Sequence, residues 1–131
     1  MITLELPYPP SVNRYYRHVG FRTLISREGR AYRRKVCLAL RLAGVRPLDG
    51  VLAVGLDLYP PDHRRRDCDN VLKALLDAMQ HGGVYRDDNQ VKKLLVVMRD
   101  TVVPDGKVIV CVMQLDPSTV KEIHHELACL P

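Results

Sequence analysis

PDHRRRDCDNVLKALLDA, residues 61–78, joins a basic loop to an amphipathic segment and sets two carboxylates at the junction. Val71, Leu72, Leu75, Leu76 and Met79 recur at helical spacing, which predicts a helix over 70–80 ended by Gly82-Gly83. Upstream, Val51 to Tyr59 places Leu52, Val54, Leu56 and Leu58 on one face of a strand that Pro60 and Pro61 stop. Downstream, Val84 and Tyr85 form a short extended piece before the polar turn Arg86-Asp87-Asp88-Asn89. Gln90 to Arg99 and Lys107 to Gln114 read as strands, and Pro104-Asp105-Gly106 between them predicts an antiparallel hairpin.

Toward the N-terminus, Ser26 caps a predicted helix from Arg27 to Ala43, with Tyr32, Val36, Ala39, Leu40 and Ala43 as its apolar stripe and Gly44 as terminator. Ile2 to Leu6 alternates as a short strand, and Thr119 with Glu122 resembles a capping box opening a C-terminal helix. The order β-α-β-α-β-β-α predicts a single α+β domain: a mixed or antiparallel sheet with two main helices packed on it. At 131 residues the chain has the size of one domain with one core.

No apolar run approaches the about 20 residues of a membrane span. MITLELPYPP has no basic flank and does not read as a secretory signal. Cysteines at 37, 68, 111 and 129 form no CxxC pair, so neither zinc nor a disulfide framework is expected. These features predict a reducing, cytoplasmic setting with free thiols and no membrane partner.

Charge is divided along the chain. Arg14 to Arg66 holds thirteen Lys/Arg against four Asp/Glu, whereas Asp67 to Pro131 holds seven against ten. The first half suits a polyanionic partner, although a basic run alone is equally a solvated face. A dense set of carboxylates begins where the basic run stops. Asp67 and Asp69 sit at the loop–helix junction, where Asp69 suits a helix cap, and Lys73 and Asp77 follow at four-residue intervals. A second pair, Asp87-Asp88, lies in the turn after the helix. Three carboxylates converging within about 5 Å would repel by roughly 3 kcal/mol per pair at an effective dielectric of 20, a cost a divalent cation relieves. Hard oxygen donors without histidine or cysteine point to Mg²⁺, with Mn²⁺ as a substitute. Beside a polyanion site, such an ion suits phosphodiester hydrolysis. An EF-hand is excluded, because Leu72 and Ala78 occupy its glycine and glutamate positions. No Walker motif or GxGxxG is present, so no nucleotide cofactor is expected.

These motifs, with GGVYRDDNQV (82–91), PYPPSVNRYYRH (7–18) and SREGRAYR (26–33), resemble the RusA family of phage-type Holliday junction resolvases. The resemblance runs in order from about Pro7 to Val91 and more loosely through the final strands. It implies one RusA-like domain over 1–131: a homodimeric, Mg²⁺-dependent endonuclease that nicks four-way or other branched DNA symmetrically in recombination and repair. Asp67, Asp69 and Asp88 match the family's acidic metal positions, and Lys73 matches its catalytic lysine. Cys68 departs from the aliphatic residue common between the aspartates, and KEIHHELACLP (121–131) matches no motif.

Asn13, Arg14, Tyr16 and Arg17 mix basic, amide and aromatic groups as DNA-contact loops do, although Tyr15 or Tyr16 serves equally well as ordinary packing. Arg64, Arg65 and Arg66 are phosphate-contact candidates. Leu75, Leu76 and Met79, with the strands 91–98 and 108–113, are candidates for a partner-facing surface. The competing reading is a non-catalytic DNA-binding protein whose carboxylates serve as caps and salt-bridge partners.

Overall fold

Strand Val51–Tyr59 alternates fully buried and half-buried positions along its whole length, which marks it as the centre of a sheet covered on one face. The structure, a computed structural model, describes residues 1–116, 118 and 119. In chain order the elements are β1 (Ile2–Leu6), the short α1 (Val12–Tyr15), β2 (Tyr16–Val19), β3 (Arg22–Ile25), α2 (Arg27–Leu42), β4 (Val51–Tyr59), α3 (Leu72–His81), β5 (Val91–Met98) and β6 (Lys107–Leu115). Tight 3-10 turns at Cys68–Val71 and Asp88–Gln90 flank α3. The main sheet has the order β1-β6-β4-β5, and β2 with β3 forms a separate two-stranded ribbon.

Register explains the core. Leu4, Val110 and Leu56 lie side by side across three strands, as do Leu6, Val108 and Leu58. Onto this apolar face pack Tyr32, Val36 and Leu40 of α2 and Ala74, Leu75, Ala78 and Met79 of α3, all buried. The α+β class and mixed sheet expected from the sequence are therefore present. Helix α2 begins as expected, with the Ser26 hydroxyl accepting the Gly29 amide at 2.9 Å. It ends before Gly44, whose φ of +68° suits a terminating glycine.

The predicted hairpin between the last two strands is absent. β5 pairs with β4 in parallel and β6 pairs with β4 antiparallel, so β4 separates them. A central strand with both edges apolar needs two partners, and the connection 99–106 carries the chain across its end. Arg99 and Val103 amides bond the Leu58 and Pro60 carbonyls at 2.8 and 3.0 Å. The Asp105-Gly106 turn, with both φ values positive, then aims β6 back along the far side of β4. The β2–β3 ribbon was not expected, because its four-residue strands are mostly exposed and carry little alternation.

Asp69 does not cap α3. It lies inside the 3-10 turn, and Val71 occupies the cap position without a side-chain bond. Asp69 and Asn70 are weak helix formers, and regular helix begins only at Leu72. Leu75 and Met79, candidates for a partner surface, are instead fully buried in this chain's own core, and Leu76 is partly buried. The helix expected after Thr119 falls outside the described residues.

Gly29 is where α2 crosses α1. A Cβ there would press on the Tyr15 carbonyl and come within 2.9 Å of Ile25 Cγ2. Helix propensity alone favours alanine by about 1 kcal/mol, but the clash runs against backbone. Gly29→Ala should therefore destabilise the protein by about 1–3 kcal/mol, the usual cost of overpacking, read as a lower urea midpoint.

Candidate active site

The crossover from β4 to β5 carries the chemistry-bearing residues. The chain leaves β4 through the loop 60–67, which arginine organises. Arg66 Nη1 donates to Asp62 Oδ1 at 2.6 Å and to the carbonyls of Asp62 and Arg64, and its guanidinium lies 5.9 Å from the Tyr8 ring centre. The bond from Arg66, then that from the Arg64 amide, holds the Asp62 carboxyl down to about 2. Arg66 is thus the brace of this loop, while Arg64 and Arg65 are exposed.

That loop, the segment around Tyr8–Arg14 and one side of α2 enclose a cleft of about 460 Å³. Arg14, Lys35, Arg64, Arg65 and Arg66 line it, together with Asp67, Asn70 and Glu28. Asp67 opens the 3-10 turn without a side-chain capping bond, so its exposed carboxylate is free of the duty that a turn-opening aspartate usually performs. The Tyr8 hydroxyl, in the cleft wall, is buried without a partner among the described residues. Lys35 and Glu28 were not singled out from sequence; only the fold brings their side of α2 to the loop.

At the far end of the crossover the two neighbouring aspartates divide their roles. Asp87 caps the turn: its carboxylate accepts the Asn89 amide at 2.9 Å, and Gln90 Oε1 accepts the Asp87 amide in return. Gln90 also donates to the carbonyls of Leu48 and Gly50, each at 3.0 Å, and so pins the turn to the loop before β4. The Asp88 amide donates to Gln80 Oε1 at 2.8 Å, which holds Asp88 against α3. Its carboxylate lies 3.9 Å from Lys73 Nζ. The structure thus joins Lys73 with Asp88. Asp69 is exposed on the turn beside Asp67. Among the described residues, no three His, Cys, Asp or Glu side chains are grouped closely enough to hold one ion. The donors at Asp67, Asp69 and Asp88 are carboxylate oxygens, which fit a hard divalent cation by their chemistry.

Of the DNA-contact candidates, Arg14, Arg64, Arg65 and Arg66 meet at the cleft. Asn13 and Arg17 are exposed outside its lining, and Tyr16 is half-buried, edge-on to Tyr15 with ring centres 4.9 Å apart. Tyr15 itself is core. Cys37, Cys68 and Cys111 are free thiols. No helix among the described residues is long and apolar enough to cross a membrane.

Sequence reasoning missed one cluster. Asp77, read as an i+4 neighbour of Lys73, turns toward α2, where Arg33 Nη2 donates to it at 2.6 Å and the Tyr15 hydroxyl also donates. Arg33 Nε reaches the Tyr15 hydroxyl at 2.8 Å. The cluster ties α1, α2 and α3 together on the side of α3 that carries Lys73.

A family model described as "Endodeoxyribonuclease RusA" matches residues 7–113. The Escherichia coli protein named crossover junction endodeoxyribonuclease RusA is 44% identical over 99 residues, covering 72% of this chain and 80% of that one. Proteins of the same name from Enterobacteria phages 82 and HK97 are 46% and 38% identical over 98 and 112 residues, covering 72% and 85% of this chain and 79% and 92% of theirs. These matches define the class as an endodeoxyribonuclease. The chain belongs to the RusA family.

Burial raises the Asp77 carboxyl, but the bonds from Tyr15 and Arg33 and the Arg33 charge outweigh it, leaving Asp77 below the ordinary carboxylate range. A group depressed in the folded state stabilises fully above its unfolded value and loses that contribution as pH falls through the folded one. Asp77→Asn should cost about 1.5–3 kcal/mol at pH 7, the range for bonds to a charged group. The gap from wild type should close as urea unfolding is repeated at pH values falling below about 4.

Proposed function

We propose that this protein cuts four-way DNA junctions by divalent-metal-dependent phosphodiester hydrolysis, one nick per protomer of a homodimer, with the paired nicks related by symmetry. The observation that carries this reading is a cation-lined cleft with Asp67 on its wall, in a chain of the RusA family. Asp67, Asp69 and Asp88 would supply the metal's donors, Mg²⁺ by donor chemistry with Mn²⁺ as substitute, the ion drawing together carboxylates that do not meet at one point in this structure. When bound, the ion supplies charge stabilisation and a more acidic water. The Lys73 ammonium, beside Asp88, neutralises negative charge at the phosphate or leaving oxygen. Arg14, Arg64, Arg65 and Arg66 hold the strand in the cleft, with Asn13, Tyr16 and Arg17 along the adjoining arm. A purely structural use of the carboxylates has support at Asp87, which is a cap, but not at Asp67 or Asp69, which cap nothing by side chain.

The homodimer follows from need and from surface. Resolving a junction takes nicks in two strands related by two-fold symmetry, and each chain has one such carboxylate set. The sheet face opposite the helices has an apolar centre: Ala53, Gly55, Cys111, Ile109, Leu95 and Val97 share it by register, with Thr3, Glu5, Asp57 and Lys93 beside them, and none of these residues is buried. Leu95 there is 62% exposed. A second copy laid on this face gives the two-fold assembly.

Cleavage of a labelled four-way junction tests the chemistry. Asp67→Asn, Asp69→Asn and Asp88→Asn should each lower the rate at least ~100-fold, the scale of removing one electrostatic stabiliser. Junction binding should persist, and EDTA should abolish wild-type cutting. Lys73→Ala should lower the rate at saturating DNA more than it weakens binding. Normal cutting by any of the three Asn variants would remove that aspartate from the metal set.

Sedimentation equilibrium tests the assembly. Wild type should run as a dimer at micromolar concentration, and Leu95→Asp should shift it toward monomer while its circular dichroism spectrum stays unchanged. A wild-type monomer, free and on the junction, would defeat the two-fold reading.

A further inference from the structure

Helix α2 has a second basic side that the cleft does not use. Arg30, Arg33, Arg34 and Arg41 line, with Cys37, Leu38 and His81, a groove of about 450 Å³. At about 100° per residue this side lies opposite Glu28 and Lys35, the charged residues α2 gives to the cleft. No carboxylate lines the groove. Arg33 is committed to Asp77, and Arg30 donates to the Ile25 carbonyl at 2.9 Å. Arg34 and Arg41 are exposed, and among the described residues neither has an ion-pair partner. Arg30 and Arg34 are one turn apart, where like charges repel. Folding gains nothing from that placement, whereas a polyanion laid along the helix would.

We propose that this outer side of α2 is a second DNA track, seating the sugar-phosphate backbone of a duplex arm other than the strand held in the Asp67 cleft. Dimension supports a duplex. Arg30 to Arg41 spans about 16 Å of helix axis at 1.5 Å per residue. Each strand of duplex DNA carries one charge per about 3.4 Å, so this length faces about five phosphates of one backbone, enough to occupy every free guanidinium. The track rests on the reading that the protein binds branched DNA, and goes beyond it by assigning a surface remote from the carboxylates.

The test measures junction affinity against salt in EDTA, where nothing is cut. Arg34→Gln/Arg41→Gln is compared with Arg46→Gln/Lys92→Gln, which removes the same charge from exposed sites elsewhere. Two lost phosphate contacts should make the slope of log affinity against log salt shallower by about 2. The control pair should leave the slope as in wild type. With Mg²⁺ and saturating junction, the cleavage rate of the α2 pair should stay within about threefold of wild type, as for loss of uniform binding. A direct readout comes from Cys37, a half-buried free thiol in the groove: bound junction should slow its alkylation by a maleimide, followed by peptide mass spectrometry. An unchanged slope in the α2 pair, an equal change in the control pair, or Cys37 alkylation indifferent to bound junction would overturn the track. Failure of wild type to bind the junction at all would instead remove the function on which it rests.

Discussion

Parallel pairing of β5 with β4 is the constraint on which the site depends. Two parallel neighbours cannot be joined by a tight turn; the chain must return along the sheet between them, and here it returns through α3. The carboxylates and Lys73 all lie on that return path. Asp67 and Asp69 sit where it leaves the loop after β4, and Asp88 where it rejoins the sheet at β5. Burial of Ala74, Leu75, Ala78 and Met79 fixes the rotation of α3 about its axis. With that rotation set, Lys73 stays at the surface beside Asp88 and Asp77 faces α2. The core thus decides which polar side chains meet.

A second constraint fixes the N-terminal arm. Tyr15 is fully buried, yet its hydroxyl joins Asp77 and Arg33, and its carbonyl accepts the Ser26 amide at 2.9 Å. One side chain therefore packs in the core and clasps the middle of α2 to the middle of α3. Buried hydroxyls and carboxylates are costly when unpaired and strong when fully bonded. The absence of a side chain at Gly29 lets α1 approach closely enough for the clasp to close. Through it, Arg14 on α1 is held at the cleft that α3's leading turn completes.

Much of this was legible in the sequence because it is local. The alternation in 51–59, the Ser26 cap, the Gly44 stop and the apolar stripe of 71–79 each encode one element without reference to another. Strand partners are not local. Pro104-Asp105-Gly106 is a true turn, but whether the chain folds back beside β5 or beyond β4 depends on β4 needing neighbours on both edges. Likewise the i+4 spacing of Asp69, Lys73 and Asp77 is real, yet burial of the intervening residues sends Asp77 and Lys73 to different partners. Asp67, Asp69, Lys73 and Asp88 are the candidates that motif and resemblance supply, whereas Glu28, Lys35 and the Arg33–Tyr15–Asp77 cluster depend on contacts between elements far apart in sequence.

The distribution of charge follows the same logic. An arginine needs a reason to stand beside another, and the structure supplies one only for some. Arg33 stabilises the half-buried Asp77 carboxylate, Arg66 stiffens the loop before the acidic turn, and Arg99 pairs with Asp57 at 2.5 Å. Arg64, Arg65, Arg34 and Arg41 do little for the fold, since exposed ions in water contribute little to stability. They form two groups on different sides of α2, one at the carboxylates and one away from them. A helix that presents cations on two sides while burying a third suits a substrate that is itself branched. In the proposed reading one strand lies at the carboxylates while the other group seats the backbone of a neighbouring arm and adds affinity rather than rate.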